Sequence, residues 1–185
     1  MRLMELRTSR LLLRPWRPED ELPFAALNAD QRVTEYLLGP FTREQSDAQI
    51  KNFQSQFDRQ GFGRWAVELP GEASCIGMVG LSEIPYEQHF TPAVEIAWRI
   101  AHPFWGRGLA TEAANAALAF GFESARLDEI VALTVPGNLR SRAVMERLGM
   151  TRDSAGDFEH PLVPVGHALR HHVLYRLSSS DWRAH

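Results

Sequence analysis

The sequence predicts a mixed α/β fold built on a mostly antiparallel sheet, and two patterns carry that prediction. The first is a series of three strand-like runs, 63–69, 74–84 and 93–100. The segments between them, PGEA and PYEQHFTP, are typical of turns, so the three strands should form an antiparallel meander. The second pattern is a strand–helix–strand unit, in which a helix at 108–122 joins strand 93–100 to strand 129–135. That unit predicts one parallel pair within the sheet.

The elements before the meander are predicted from apolar runs and helix-start signals. Residues 10–16 form a short apolar run ended by Pro15, which indicates a strand near the sheet edge because proline lacks an N–H for the ladder. Residues 17–30 predict a helix with acidic residues in its first turn. Thr42 and Gln45 stand at the spacing of a capping box, so another helix should begin there.

After the parallel pair, the sequence predicts one more helix and two more strands. Residues 138–149 have a helical pattern, and Gly149 is a typical helix stop. Residues 150–160 and 171–178 are strand-like and are joined by a loop rich in proline, glycine and histidine. With no internal repeat or linker in this order of elements, we expect one domain over residues 1–185.

Composition and charge narrow the class of protein. The 185 residues carry a formal net charge of −3, which gives no global electrostatic footprint for nucleic acid. Cys75 is the only cysteine, so no internal disulfide can form and a reducing cytoplasm is the expected location. No apolar run resembles a signal peptide or approaches the roughly 20 residues that span a bilayer. We therefore expect a cytoplasmic protein without a membrane or nucleic-acid partner.

Small residues crowd the start of the helix that follows strand 93–100. Gly106 and Gly108 precede the helix, and backbone N–H groups in such a turn have no intrahelical partner. The helix dipole adds partial positive charge, so the turn suits an anion such as a phosphate. Arg107 supplies a cation and Thr111 a hydroxyl. The alternative is an ordinary connection in which Gly108 is the N-cap.

A second polar turn follows the neighbouring parallel strand. Strand 129–135 ends before a helix that Asn138 opens, and Ser141 comes three residues later. Because the ends of two adjacent parallel strands lie side by side, a crevice should form between the two helix starts. Asn138 and Ser141 can hydrogen-bond a ligand in that crevice. The alternative is that Asn138 only caps its helix.

Together these features resemble the GCN5-related N-acetyltransferases, the GNAT superfamily. WGRGLATEA, at 105–113, is similar to the acetyl-CoA signature Q/R-x-x-G-x-G/A, with Trp105 at the first position as is usual in the RimJ/RimL-like branch of ribosomal-protein N-terminal acetyltransferases. NLRSRAVMERLGM, IGMVGL and EIAWRI resemble further family elements, so the resemblance extends from Leu11 to Leu177. It implies a GNAT-like sheet with helices on both faces and splayed parallel strands at its centre.

The resemblance also implies a cofactor and its binding residues. Acetyl-CoA would lie between the splayed strands as co-substrate, and no metal would be needed. Its pyrophosphate would lie on the N–H groups of the glycine turn, its pantetheine arm along strand 93–100, and its thioester carbonyl at the Ile100 N–H. The implied cofactor-binding residues are Ile100, Gly106, Arg107, Gly108, Leu109, Ala110, Thr111, Asn138 and Ser141.

For catalysis, the reaction implied by the resemblance is direct attack of a neutral primary amine on the thioester. Glu95 is the candidate base, because apolar neighbours would raise its pKa toward a useful range. The alternative is a structural Glu95 bonded to backbone or paired with Arg99. Met145 stands where many family members have a tyrosine acid, which leaves Ser141 as the nearby hydroxyl to hydrogen-bond the leaving thiolate.

The sequence leaves the acceptor and the partners open. The amine could belong to a protein N-terminus or to a small molecule, and the protein could be a monomer or a homodimer. A non-catalytic acyl-CoA-binding or sensing module is the alternative function, which Met145 would favour. The loop with four histidines, at 160–172, could cover the acceptor site or simply be surface; its spacing matches no metal-ligand pattern.

Overall fold

The computed structural model describes residues 5–183, which form an eight-stranded sheet with helices on both faces. The strand order across the sheet is β1-β2-β3-β4-β5-β6-β8-β7. The strands are β1 (Leu6–Arg7), β2 (Leu12–Arg14), β3 (Arg64–Leu69), β4 (Ala73–Glu83), β5 (Val94–Ile100), β6 (Glu129–Thr134), β7 (Thr151–Glu159) and β8 (His171–Ser178). The α-helices are α1 (Glu21–Ala29), α2 (Gln31–Thr34), α3 (Arg43–Gln60), α4 (Leu109–Ala119), α5 (Leu139–Arg147) and α6 (Ser179–Arg183).

The pairing confirms the predicted fold class. The meander β3-β4-β5 is antiparallel throughout, with Gly80 opposite Ala97 near the centre of the β4–β5 pair. In the described part of the chain, β5 and β6 are the one parallel pair, and a single bridge from Glu95 to Val131 joins them. The two strands diverge beyond that bridge, so the centre of the sheet is open at the end where α4 and α5 begin.

Each face of the sheet has its own apolar core. Alanines of α4, such as Ala113 and Ala117, are fully buried against one face, where their small side chains let the helix lie close to the strands. On the other face α1 and α3 pack through Trp16, Phe24 and Phe53, whose ring centroids lie 4.8 to 6.1 Å apart. β5 therefore has a different set of neighbours on each of its two faces.

The helix signals in the sequence are confirmed, while three short elements, β1, α2 and α6, were not predicted. Thr42 and Gln45 form the expected capping box at the start of α3, and Gly149 has a φ of 77° after α5. The predicted helix to residue 122 ends earlier as α-helix, and a π turn, Phe120–Ser124, follows it. β1, α2 and α6 are each five residues or shorter, which is too short for hydrophobic periodicity to be read.

The expectation that residues 10–16 form a strand near the sheet edge is confirmed, since β2 (Leu12–Arg14) is second from that edge. β2 lies between β1 and β3, and Pro15 falls directly after its last residue, Arg14. Proline therefore ends the strand and does not interrupt its ladder. No helix among residues 5–183 is both long enough and apolar enough to cross a membrane.

A fully buried arginine links β2 to the start of α1. Arg14 forms a two-pronged ion pair with Asp20 at 2.7 and 2.8 Å, and both side chains have 0% exposure. Its remaining donors reach Glu68 at 2.6 Å and the carbonyls of Pro15 and Ser74 at 3.0 and 2.6 Å. All five N–H donors of the guanidinium are therefore satisfied.

We expect Asp20→Ala to lower the free energy of unfolding by about 3–5 kcal/mol, because it leaves a buried guanidinium without its main counter-charge. Urea unfolding followed by circular dichroism measures the change. Asp47→Ala is the matched control, because Asp47 forms an exposed ion pair with Arg43 at 2.8 Å and should cost less than about 1 kcal/mol. Equal effects of the two variants would contradict the prediction.

Candidate active site

The divergence of β5 and β6 opens a cavity of about 1210 Å³ between the two strands. The Ala101 N–H donates to the Ile76 carbonyl at 2.8 Å, so the backbone groups of odd-numbered residues in this part of β5 are directed to β4. Those of the even-numbered residues are directed to β6, which has moved away. The N–H groups of Trp98 and Ile100 therefore face the cavity, where an extended chain could pair with them.

Successive side chains of β5 point to opposite faces of the sheet, so they line two different halves of the cavity. Ile96 and Ile100 belong to the core under α4, whereas Ala97 belongs to the core under α1 and α3. Glu95 and Arg99 share the face of Ala97 because the side-chain period of a strand is two. We call the half beside α4 and α5 the donor half, and the half beside α1 and α3 the acceptor half.

The glycine turn of the donor half has the backbone that an anion requires. Gly106 and Gly108 have φ angles of 74° and 75°, in the left-handed region that favours glycine. A Cβ at Gly106 would meet no atom within 4 Å, so space is open above the turn. In the part of the chain that the structure describes, the N–H groups of residues 106–111 have no acceptor. These residues fit the pyrophosphate of a CoA thioester.

Arg107, which the sequence suggested as a counter-charge at the glycine turn, lies outside the cavity lining. Its guanidinium pairs with Glu72 at 2.7 and 2.9 Å, away from the cavity lining. Arg10 holds the turn instead. It donates to the Arg107 carbonyl at 3.0 Å and to Glu112 at 2.7 Å, which links the connection between β1 and β2 to the first turn of α4. No sequence pattern indicated Arg10, because its partner lies 102 residues away.

Trp105 contacts the last residue of β5. Its indole Nε1 donates to the Ile100 carbonyl at 2.6 Å, which satisfies a backbone acceptor that β6 no longer reaches. The guanidinium of Arg140, on α5, lies 4.5 Å from the centre of the indole ring. Arg140 also pairs with Glu35 at 2.7 Å and lies 5.9 Å from the ring of Tyr36. Trp105 and Arg140 thus connect the start of α4, the start of α5 and the segment after α2.

Asn138 caps α5, as the alternative interpretation had it. Its Oδ1 accepts from the Ser141 N–H at 3.2 Å, and its Nδ2 donates to Thr134 Oγ1 at 3.0 Å. Asn138, Ser141 and Met145 all line the cavity, with Met145 only 2% exposed. The structure therefore brings Asn138 and Ser141 to the predicted crevice, with the Asn138 amide already bonded to the chain.

Glu95 lies in the acceptor half, but its setting differs from the apolar one that the sequence suggested. Arg64 forms an ion pair with Glu95 Oε1, and the Ser82 hydroxyl lies 3.4 Å from the same oxygen. The proposed alternative pairing with Arg99 is absent from the described structure, because Arg99 donates to the side chains of Asn28 and Gln49. The carboxylate is thus held in place at the cavity wall by a cation from β3.

His172 and Tyr36 line the cavity without having been predicted as site residues. His172 belongs to the predicted histidine-rich segment, and its Nδ1 lies 3.2 Å from the Arg170 carbonyl. As Nδ1 is the donor to a carbonyl, Nε2 is left as the acceptor. Among residues 5–183, no group of three or more His, Cys, Asp and Glu side chains could hold a metal ion.

Bare N–H groups at a helix start, beside a cleft with unpaired strand edges, form a site that suits an anion joined to an extended chain, as in an acyl-CoA thioester. Comparison with known proteins shows the class of protein to which the chain belongs. Residues 10–151 match the acetyltransferase (GNAT) domain family. The chain belongs to that family, and the sheet described above has its fold.

Named relatives agree with this assignment. The uncharacterized N-acetyltransferase YnaD of Bacillus subtilis is 28% identical over 97% of this chain and 99% of its own length. The ribosomal protein uS5-alanine N-acetyltransferase of Escherichia coli is 26% identical over 97% of this chain and 93% of its own length. The crystal structure of an acetyltransferase from Agrobacterium tumefaciens superposes with a TM-score of 0.77 at 29% identity, over 96% of this chain and 95% of that one. The protein is therefore an acetyl-CoA-dependent N-acyltransferase, and nothing in the comparisons supports the non-catalytic alternative.

We expect Gly106→Ala to weaken CoA binding at least tenfold, because its Cβ enters the space above the glycine turn. Isothermal calorimetry with CoA measures the affinity. Gly166→Ala is the matched control: Gly166 has a φ of 82°, also has no atom within 4 Å of a Cβ, and lies outside the cavity lining. Both substitutions impose similar backbone strain, so equal loss of affinity in the two would show that strain alone is responsible.

We expect His172 to make the fold sensitive to acid. Burial lowers the pKa of His172 to about 4, whereas a histidine in the unfolded chain has a pKa of about 6.5. As pH falls below that value, the unfolded chain takes up a proton that the folded chain does not, so stability falls. Between pH 7 and pH 5 this residue should account for a loss of about 2 kcal/mol.

Urea unfolding of His172→Gln at pH 7 and pH 5 tests this effect, since the variant should lose correspondingly less stability on acidification. His171→Gln is the control, because the His171 side chain is 51% exposed on the opposite face of β8. A wild-type pH dependence in His172→Gln would show that His172 has no depressed pKa.

Proposed function

We propose that the chain, as one domain over residues 1–185, transfers the acetyl group of acetyl-CoA directly to a primary amine that enters through the acceptor half. The single observation that carries this proposal is the cavity between β5 and β6, which joins the bare N–H groups of the glycine turn to Glu95. A thioester laid along the open edge of β5 and an amine beside Glu95 would meet within one continuous space. Direct attack then needs no acyl-enzyme intermediate.

On the donor half, we propose that backbone groups bind the co-substrate. The N–H groups of residues 106–111 would hold the pyrophosphate, with Leu109 and Ala110 against it and the Thr111 hydroxyl as an added donor. Trp98 and Ile100 would pair with the pantetheine arm, and the Ile100 N–H would donate to the thioester carbonyl, where negative charge develops. Asn138 and Ser141 would line the opposite wall.

On the acceptor half, the amine must lose its extra proton before it attacks. An α-amine has a pKa of about 7.7–8.0, so an appreciable fraction is neutral at physiological pH and the rest enters as ammonium. We propose that Glu95 accepts the extra proton of the ammonium form, as well as the proton released as the carbon–nitrogen bond forms, while Arg64 keeps the carboxylate oriented. Because residue 145 is methionine and not tyrosine, Ser141 would hydrogen-bond the departing thiolate, and water would return the proton to that thiolate.

The acceptor is either a protein N-terminus or a small amine. The E. coli relative named for alanine acetylation of ribosomal protein uS5 supports the first, and it also supports a location in the cytoplasm. A CoA thiol-release assay against N-terminal peptides, polyamines and aminoglycosides distinguishes the two. Thiol release with none of these amines, despite CoA binding by calorimetry, would contradict the proposed transfer.

We expect Glu95→Gln to lower kcat by about 10²–10⁴ at pH 7, because a general base contributes about that factor. The difference from wild type should shrink as pH rises toward 9, where the amine loses its proton without help. Glu83→Gln is the control, because Glu83 is an exposed carboxylate at the end of β4, outside the cavity lining. A constant difference at every pH would instead indicate that Glu95 only positions Arg64.

A further inference from the structure

Arg99 is a cation of the acceptor half that has no acidic partner. Its Nη1 donates to Asn28 Oδ1 at 2.5 Å and to Gln49 Oε1 at 2.9 Å, and both acceptors are neutral amide oxygens. Its Cζ lies 6.0 Å from the ring of Phe24 and 5.4 Å from that of Phe41. Across the part of the chain that the structure describes, no carboxylate forms an ion pair with this guanidinium. It is therefore held rigidly and left uncompensated.

The other cations on this side of the cavity are already neutralised. Arg64 pairs with Glu95, and Arg32 pairs with Asp30 at 2.7 Å. Since Arg32, Arg64 and Arg99 all line the cavity, the acceptor half carries one positive charge in excess, located at Arg99. A ligand that supplied one negative charge there would complete the balance.

Leaving such a charge unpaired costs free energy in the folded protein. Burial, together with repulsion from Arg64, lowers the pKa of Arg99 to about 10, so the side chain stays protonated at neutral pH. A partly buried cation without a counter-ion is destabilising, and such groups cluster at binding sites. The two amides and the two rings orient Arg99 without neutralising it, which is the arrangement expected of a preformed anion site.

The position of Arg99 relates this charge to the reacting atoms. Arg99 directly precedes Ile100, whose N–H faces the cavity, and it lies on the same face of β5 as Glu95. The α-carbons of Glu95 and Arg99 are about 13 Å apart along an extended strand, and only the methyl group of Ala97 lies on that face between them. An acceptor that lies over Ala97 would have its amine on the side of Glu95 and its other end on the side of Arg99.

We infer that Arg99 is an anion subsite of the acceptor half, and that the preferred acceptor is a primary amine that also carries a carboxylate. The planar guanidinium has donors beyond Nη1 that suit a carboxylate. The carboxylate belongs either to a small amino acid or to an acidic side chain next to a peptide N-terminus. This inference rests on the proposed transfer to an amine and narrows its substrate class.

The test compares acceptors that carry either a carboxylate or the uncharged amide at the same position. Thiol-release kinetics are measured with β-alanine and β-alaninamide, and with peptides that have Asp or Asn as the second residue. We expect wild-type kcat/KM to favour the carboxylate member of one pair at least tenfold. Which pair shows the preference identifies the source of the carboxylate. In Arg99→Gln the preference should fall to within about twofold, while kcat/KM for the amide member changes less than threefold.

Two further variants separate charge recognition from loss of structure. Arg99→Lys keeps the charge without the planar fork and should retain an intermediate preference. Arg43→Gln removes an exposed cation outside the cavity lining and should leave the preference intact. Thermal unfolding of each variant checks that it is folded. An unchanged preference in folded Arg99→Gln, or no preference in wild type, overturns the inference.

A binding measurement distinguishes failure of the subsite from failure of the proposed function. Calorimetry on the CoA-saturated protein compares N-acetyl-β-alanine with N-acetyl-β-alaninamide, and likewise the acetylated Asp and Asn peptides. Binding of a carboxylate form that Arg99→Gln weakens at least tenfold, with no thiol release from any amine, supports the subsite and overturns the transfer. Thiol release with amines that lack a carboxylate, and no Arg99-dependent binding, overturns the subsite alone.

Discussion

The divergence of β5 from β6 after a single bridge is the constraint on which the rest of the structure depends. Backbone N–H and C=O groups are costly to bury without partners, and here they border a cavity where a ligand can pair with them. The open end of the strands is also where α4 and α5 begin. Two helix N-termini and one unpaired strand edge therefore meet at the same place.

In the proposed reaction, β5 would serve both substrates because its side chains alternate. One face belongs to the core beneath α4, and the other presents Glu95, Ala97 and Arg99 toward α1 and α3. The backbone between these faces would be left for the thioester. A single strand would thus place the donor's reacting carbonyl, the proposed proton acceptor and the proposed recognition charge within a few residues of one another. Any slip of its register against β4 would disturb all three together.

Local patterns in the sequence predicted the fold class, most strand and helix limits, and the two polar helix starts. Gly106 and Asn138 could be found because turn and cap chemistry depend on neighbouring residues. The direction of a side chain could not be predicted in this way, because residues remote in sequence decide it. Arg107 pairs with Glu72 outside the cavity lining, and Glu95 pairs with Arg64 where apolar neighbours were expected. The separations of these pairs, 35 and 31 residues, leave no periodic signal to read.

Arg140 gives the two halves of the cavity a shared wall. It contacts Trp105, which bonds the end of β5, and it pairs with Glu35 on the acceptor side. Arg140 therefore links the end of β5 to the segment after α2 through its contacts with Trp105 and Glu35. Because Trp105, Tyr36 and Arg140 all line the cavity, a substitution at Arg140 would alter the cavity wall beside both strands at once.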